Sequence, residues 1–337
     1  MTFLAAVLEG FNQPLKLMEL KEPDALDVGQ VWVQFECAAI CGAQINEISG
    51  AKGSDPYLPH LLGHEGFGEV VRIGPGVKHV KAGDKVVAHW RKGLGIDAAP
   101  PKYRTGNGYN VGAGPVSTFA ECGAISENRL TKVPNDTPKE VGALLGCAVT
   151  TGVGAVIREA KTQPGESILI VGAGGVGLSA ILGANLVNAF PVCAVDMDDH
   201  KLRLAHHLGA NICGSREDCR GTYDIVIETT GNPAMIEWAL EHTAHSGGRL
   251  VLVGQPSVGE EVSFTDFRKH YFGKTILDSQ GGGTLPHLDI PRLLRLYKAN
   301  RLPISHIATD WYKLTQINQA LDAMRNGEVS GRCMIAL

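Results

Sequence analysis

Glu166-Ser-Ile-Leu-Ile-Val-Gly-Ala-Gly-Gly-Val-Gly-Leu-Ser179 is the stretch around which the chain is organised. An apolar run, Ile168 to Val171, predicts a short buried strand, followed by a tight turn and the start of a helix. Gly172, Gly174 and Gly177 hold the spacing G-x-G-x-x-G, with Gly175 and Val176 inside it. The first glycine permits a sharp reversal. The second keeps side-chain atoms away from a pyrophosphate, and the third lets the helix pack close to the strand. The helix N-terminus then offers free N–H groups to phosphate oxygens. A second strand, Pro191 to Val195, ends in Asp196, 24 residues after Gly172. A dinucleotide-binding unit needs a carboxylate at about that place for the ribose hydroxyls. An Asp accepts from a free 2′-OH and repels a 2′-phosphate, so NAD is favoured over NADP.

Outward from this turn the chain changes character. Residues 150 to 285 alternate strand and helix: a helix over Lys201 to Leu208, a strand over Asp224 to Glu228, a helix over Ala234 to His245, a strand over Arg249 to Val253. That pattern predicts a parallel sheet with helical crossovers. Residues 1 to 150 instead read as short strands, such as Val31-Trp-Val-Gln-Phe and Gly68-Glu-Val-Val-Arg-Ile. Between His89 and Pro115 lies a Gly- and Pro-rich stretch expected to be an irregular loop. The tail predicts helices near Ile290 to Ala299 and Leu314 to Arg325, then a strand, Arg332 to Ala336.

With 337 residues, 44% apolar and 20% charged, the chain has material for two ordinary cores. A net charge of −4 gives no electrostatic case for nucleic acid. Ser167 to Val195 carries no charge, but its five glycines and Pro191 argue for buried strand–helix–strand and against a membrane span. No signal peptide is read at Met1-Thr-Phe-Leu. Eight scattered cysteines without a C-x-x-C pair suit a reduced, cytoplasmic protein better than a disulfide scaffold.

Three further stretches carry chemistry: Cys41-Gly, Gly63-His-Glu-Gly and Gly146-Cys-Ala-Val-Thr-Thr-Gly. Cys41, His64 and Cys147 would supply S, N and S to zinc, leaving a fourth position open. Glu65 could orient the site or exchange as a ligand. On residue type alone the alternative stands beside this: a lone Cys serves as a small buried hydrophobe, and a lone His as a core residue.

These stretches, with Val80-Lys-Ala-Gly-Asp-Lys-Val, the glycine turn and Asp196 with Lys201, resemble the zinc-containing medium-chain alcohol and polyol dehydrogenase family. The likeness runs over essentially the whole chain. It implies an α/β protein: a GroES-like β-rich catalytic domain, residues 1–148 and 285–337, and a Rossmann doubly wound parallel-sheet domain, 149–284. It implies one catalytic zinc on Cys41, His64 and Cys147, with Glu65 behind it. Thr150, Thr151 and Val176 would approach the nicotinamide, Asp196 and Lys201 would hold the adenosine ribose, and Arg332 would reach the pyrophosphate. The family also implies a homodimer or homotetramer.

Three departures from the family pattern bear on function. After Cys41-Gly the family usually has Thr or Ser, then Asp; here stand Ala43 and Gln44, and Asn46 replaces a common relay His. Proton release would then pass to water, Glu65 or a neighbouring substrate hydroxyl. Gly42 stands where some relatives carry an Arg for the cofactor. No cysteine lies between Cys41 and Cys122, so no structural zinc is expected. Arg91, Lys92, Lys102 and Arg104 occupy that stretch and would favour an anionic or sugar-like substrate. The expected activity is hydride transfer between NAD and a secondary alcohol, polyol, cyclitol or sugar derivative. Two rivals are a zinc-free NADPH quinone or enone reductase of the same fold, and a dinucleotide-binding protein without turnover.

Overall fold

The computed structural model describes residues 1–337 apart from 265–267, 269 and 271. The chain divides into two units. One comprises Met1–Cys147, Leu285–Arg295 and Ala308–Leu337; the other comprises Ala148–Thr284 and Leu296–Ile307.

In the second unit the apolar runs form six parallel strands, in the order Ile212–Gly214, Val192–Val195, Ile168–Val171, Ile225–Glu228, Arg249–Leu252, Thr275–Asp278. The four strands from Val192–Val195 to Arg249–Leu252 are covered, with the three most central ones wholly buried, as a doubly wound sheet demands. Strand order reverses between Ile168–Val171 and Ile225–Glu228, the place where such sheets open a ligand crevice at their carboxyl ends. Helix Gly175–Leu186 is apolar and buried on nearly every side. Helix Ala148–Gly154 lies against it so closely that a Cβ on Gly152 would meet the Val176 carbonyl oxygen at 2.3 Å. Residues 296–307, expected with the catalytic domain, belong here: Leu302, Ile304 and Ile307 are buried, and His306 packs on His207. The uncharged run Ser167 to Val195 resolves into strand, helix and strand, and no helix among the described residues is long and apolar enough to cross a membrane.

The first unit is β-rich. Strand Gln30–Ile40 is its spine, pairing with Glu65–Ile73, Arg332–Ala336 and Cys122–Ser126. Glu65–Ile73 pairs in turn with Lys85–His89, Glu65 standing opposite His89. A second sheet runs Lys16–Lys21, Thr2–Leu8, His60–Leu61, Asn110–Gly112, Lys102–Arg104. Its last two strands correct the expectation of an irregular loop over 89–115. Lys102–Arg104 and Asn110–Gly112 form a hairpin because Tyr103, 2% exposed, is drawn into the core against Phe3 and Trp32. Its hydroxyl accepts the Ala124 N–H, which satisfies the one polar atom taken inside.

The expectation of uniformly reduced cysteines is also corrected. Cys193, on its buried strand, and Cys219 form a disulfide inside the core of the second unit. Their separation of 26 residues carries no local signal; only the packing of the segment after Ile212–Gly214 brings them together.

Candidate metal centre and dinucleotide turn

Within the first unit, three chain segments deliver the donors. Strand Gln30–Ile40 ends at Cys41, which precedes the short helix Gly42–Ile48. His64 sits just before strand Glu65–Ile73, after Gly63 at φ +92°, where a Cβ would meet Thr118 Oγ1 at 2.4 Å. Cys147 follows helix Lys139–Leu144 and Gly146. A Cβ on Gly146 would lie 2.4 Å from the Ala88 carbonyl oxygen and 2.9 Å from Glu65 Cα, so only glycine lets this backbone reach the strand pair.

The ligand atoms of Cys41, His64 and Cys147 all lie within 4.8 Å of one another. Donors about 2.3 Å from one tetrahedral zinc stand roughly 3.8 Å apart, so the three fit a shared ion. His64 Nε2 is buried without a hydrogen-bond partner, as a nitrogen reserved for a metal would be. Cys147 is buried, whereas Cys41 and His64 keep some exposure, which suits a centre with an open fourth position. The Cys147 thiol donates to Cys41 and holds the Cys41 thiol well below its ordinary value, aided by the Arg332 charge. That same bond, together with burial, pushes the Cys147 thiol up.

Glu65 stands outside this donor set. Its Oε1 accepts from Arg332 Nε at 2.9 Å and from Arg332 Nη2, and both side chains are buried, at 0% and 5% exposure. Exchange of Glu65 onto the metal would strip a buried guanidinium of its partner, so the pair reads as a support behind the donors. Arg332, expected at the cofactor pyrophosphate, thus has Nε and Nη2 committed within the first unit. Gln44, noted in the sequence only as a departure, is buried against His64, its Nε2 2.6 Å from His64 Nδ1.

Ala43 is the second residue of helix Gly42–Ile48 and has only a methyl group to offer. In the neighbouring loop the basic residues are partly engaged: Lys92 pairs with Asp97 at 2.7 Å, and Arg91 lies over the Trp90 ring.

In the second unit, Gly172 takes φ +93°, and a Cβ on Gly177 would sit 1.9 Å from the Gly172 carbonyl oxygen. Gly174 has open space where a side chain would project, and helix Gly175–Leu186 starts directly after it. Asp196 Oδ2 accepts the Ala173 N–H at 2.8 Å and Oδ1 accepts the Asp198 N–H at 3.1 Å, which aims the carboxylate at the turn. A hollow beside it is lined by Asp196, Arg203, His206, Ser215 and Asp218 among others. Lys201 is half-buried on helix Asp199–His207 and is not among the lining residues. Arg203, Ser215 and Asp218 went unread in the sequence because their convergence depends on the order of the strands. Thr150 and Thr151 are buried in helix Ala148–Gly154, and Thr151 Oγ1 has no hydrogen-bond partner.

Comparison with known proteins places both units. Residues 27–135 match the alcohol dehydrogenase GroES-like domain, and residues 175–299 match the zinc-binding dehydrogenase domain. The chain is 30% identical to an S-(hydroxymethyl)glutathione dehydrogenase of Paracoccus denitrificans, over 96% of this chain and 97% of that one. Among solved structures, an alcohol dehydrogenase zinc-binding domain protein from Burkholderia ambifaria superposes with a TM-score of 0.91 at 28% identity, covering 100% of this chain and 99% of the other. Benzyl alcohol dehydrogenase from Acinetobacter calcoaceticus gives 0.88 at 27% identity, with the same coverage. With a GroES-like unit, a dinucleotide-type sheet and a full-length relative, the chain belongs to the medium-chain, zinc-binding alcohol dehydrogenase family of oxidoreductases.

Proposed function

We propose that the protein is a zinc-dependent, NAD-linked dehydrogenase that oxidises the hydroxyl of a secondary alcohol, polyol, cyclitol or sugar derivative, or runs the same step in reverse. One observation carries this: two sulfurs and one imidazole gathered within 4.8 Å, with His64 Nε2 unpartnered. Zinc on Cys41, His64 and Cys147 would supply a Lewis acid for the substrate oxygen, and NAD a hydride acceptor.

The remaining work falls to the chain. Glu65 and Arg332 fix the ground behind the donors. Glu65 is held by Arg332 and buried, and Ala43 has no hydroxyl, so the departing proton is left to water or to a second hydroxyl on the substrate. That favours a substrate with neighbouring hydroxyls. The engagement of Lys92 and Arg91 weakens the case for an anionic one. Asp196 would receive the ribose hydroxyls on lone pairs left over from its two N–H bonds, and Asp218 nearby adds a second carboxylate unfavourable to a 2′-phosphate. The glycine turn would cradle the pyrophosphate, and Thr151 offers an unspent hydroxyl to the nicotinamide.

Strand Thr275–Asp278 supports a homodimer. Among the described residues it pairs on one side only, and Ile276 is 46% exposed. A second copy pairing along this edge would cover it.

The deciding experiment measures metal content and NAD reduction on one sample across secondary alcohols, polyols, cyclitols and sugars. About one zinc per chain with NADH formed is expected. Metal-free protein that reduces quinones with NADPH would overturn the proposal.

A further inference from the structure

Gln44 is 1% exposed and touches two groups of the metal centre at once. Its Oε1 accepts the Cys41 backbone N–H at 3.0 Å, tying off the first turn of helix Gly42–Ile48. Its Nε2 lies 2.6 Å from His64 Nδ1. A side-chain amide brings one acceptor atom and one donor atom. The Cys41 N–H is always a donor, so the oxygen is committed to it and the NH₂ group faces the imidazole. An imidazole that gives Nε2 to a metal carries its proton on Nδ1. That proton ordinarily finds a carboxylate, a carbonyl or a water. Here two N–H groups confront each other unless the single oxygen is shared or the Cys41 N–H is released.

Charge points the same way. A divalent ion, two thiolates, the Glu65 carboxylate and the Arg332 guanidinium cancel. A carboxylate at position 44 would make the assembly net negative and bind the cation more tightly; the amide adds nothing.

We propose that Gln44 is a positioning residue that sets an intermediate hold on the ion: its neutral amide, shared between the Cys41 N–H and His64 Nδ1, supports Cys41, His64 and Cys147 on a divalent cation less than a carboxylate would and more than an apolar side chain would. This rests on the reading of those three residues as the metal donors.

Two variants of matched length test it. Gln44→Glu brings two acceptors, one for each donor; Gln44→Met brings none. The probe is Co²⁺, titrated into chelator-treated full-length protein against a competing chelator, with the thiolate-to-cobalt charge-transfer band as the signature of the donor set. Gln44→Glu should bind about 10–100-fold more tightly than the parent, and Gln44→Met more weakly, with the band unmoved in all three. Affinity of Gln44→Glu within about twofold of the parent, or below it, overturns the inference. So does Gln44→Met matching the parent, or a moved band in Gln44→Glu, which would mean that the new carboxylate had become a ligand. A parent protein with no charge-transfer band at all sinks the metal reading itself, and the same titration shows this before any variant is compared.

Discussion

Replacing Arg332 by methionine isolates the support behind the metal donors. The change keeps the length of the side chain and removes its charge. Glu65 stays fully buried and loses the Nε donor at 2.9 Å together with the Nη2 donor. Breaking one partner out of a buried pair costs about 3–5 kcal/mol, well above the ~1 kcal/mol of an exposed bridge. For a unit of roughly 190 residues, each kcal/mol moves the midpoint by about 2–4 °C, so Arg332→Met should melt about 6–20 °C lower. Calorimetry reads the shift, and added chelator keeps metal loss out of the comparison. The double variant Glu65→Gln with Arg332→Met removes both charges and should recover a coupling of about 1.5–3 kcal/mol. A single variant within about 2 °C of the parent, or a double variant no better than the sum of its parts, would refute the assignment of the pair as a buried support.

Other outcomes follow from the same geometry. His89 is buried, its Nδ1 donating to the Arg91 carbonyl and its Nε2 accepting from Thr131 Oγ1, and burial lowers its pKa to about 4. The unfolded chain takes up this proton below about pH 6.5, so stability should fall by about 3 kcal/mol as pH drops from there to about 4; denaturant midpoints across that window would show it, and His89→Gln should flatten the slope. Gly146→Ala forces a Cβ onto the Ala88 carbonyl oxygen at 2.4 Å and should displace Cys147; zinc retained per chain after dialysis should fall well below the parent, and unchanged content would contradict the placement. Asp196→Asn should raise KM for NAD by about 10–100-fold, a charged hydrogen bond's worth, while narrowing the preference over NADP; equal constants for both forms of the variant and the parent would remove Asp196 from the cofactor site.

The doubly wound sheet was legible because its signals are local. An apolar run, three glycines at fixed spacing and an acid at the end of the next strand each act within a few residues. Gly63 and Gly146, which shape the approach to His64 and Cys147, sit beside the donors they serve. What joins Cys41, His64 and Cys147 is different in kind: a separation of about a hundred residues closed by strand pairing, visible in the sequence only through likeness to a family. The Cys193–Cys219 bond and the contact of Gln44 with His64 belong to that class. The hairpin within 89–115 was hidden because Gly and Pro dominate the stretch. Its anchors are Tyr103, whose ring packs edge-on against Phe3 and Trp32, and Val111, buried in the same cluster.

That ring has a consequence for how the molecule withstands chemical insult. The hairpin carrying Lys102–Arg104 is fastened by hydrocarbon contact, backbone hydrogen bonds to its neighbours and one phenolic hydroxyl, none of which a sequestering agent can extract. Depriving the protein of divalent ions should therefore silence turnover while the aromatic near-ultraviolet dichroism of Trp32 and Tyr103 persists, and resupplied zinc should restore activity without a refolding step.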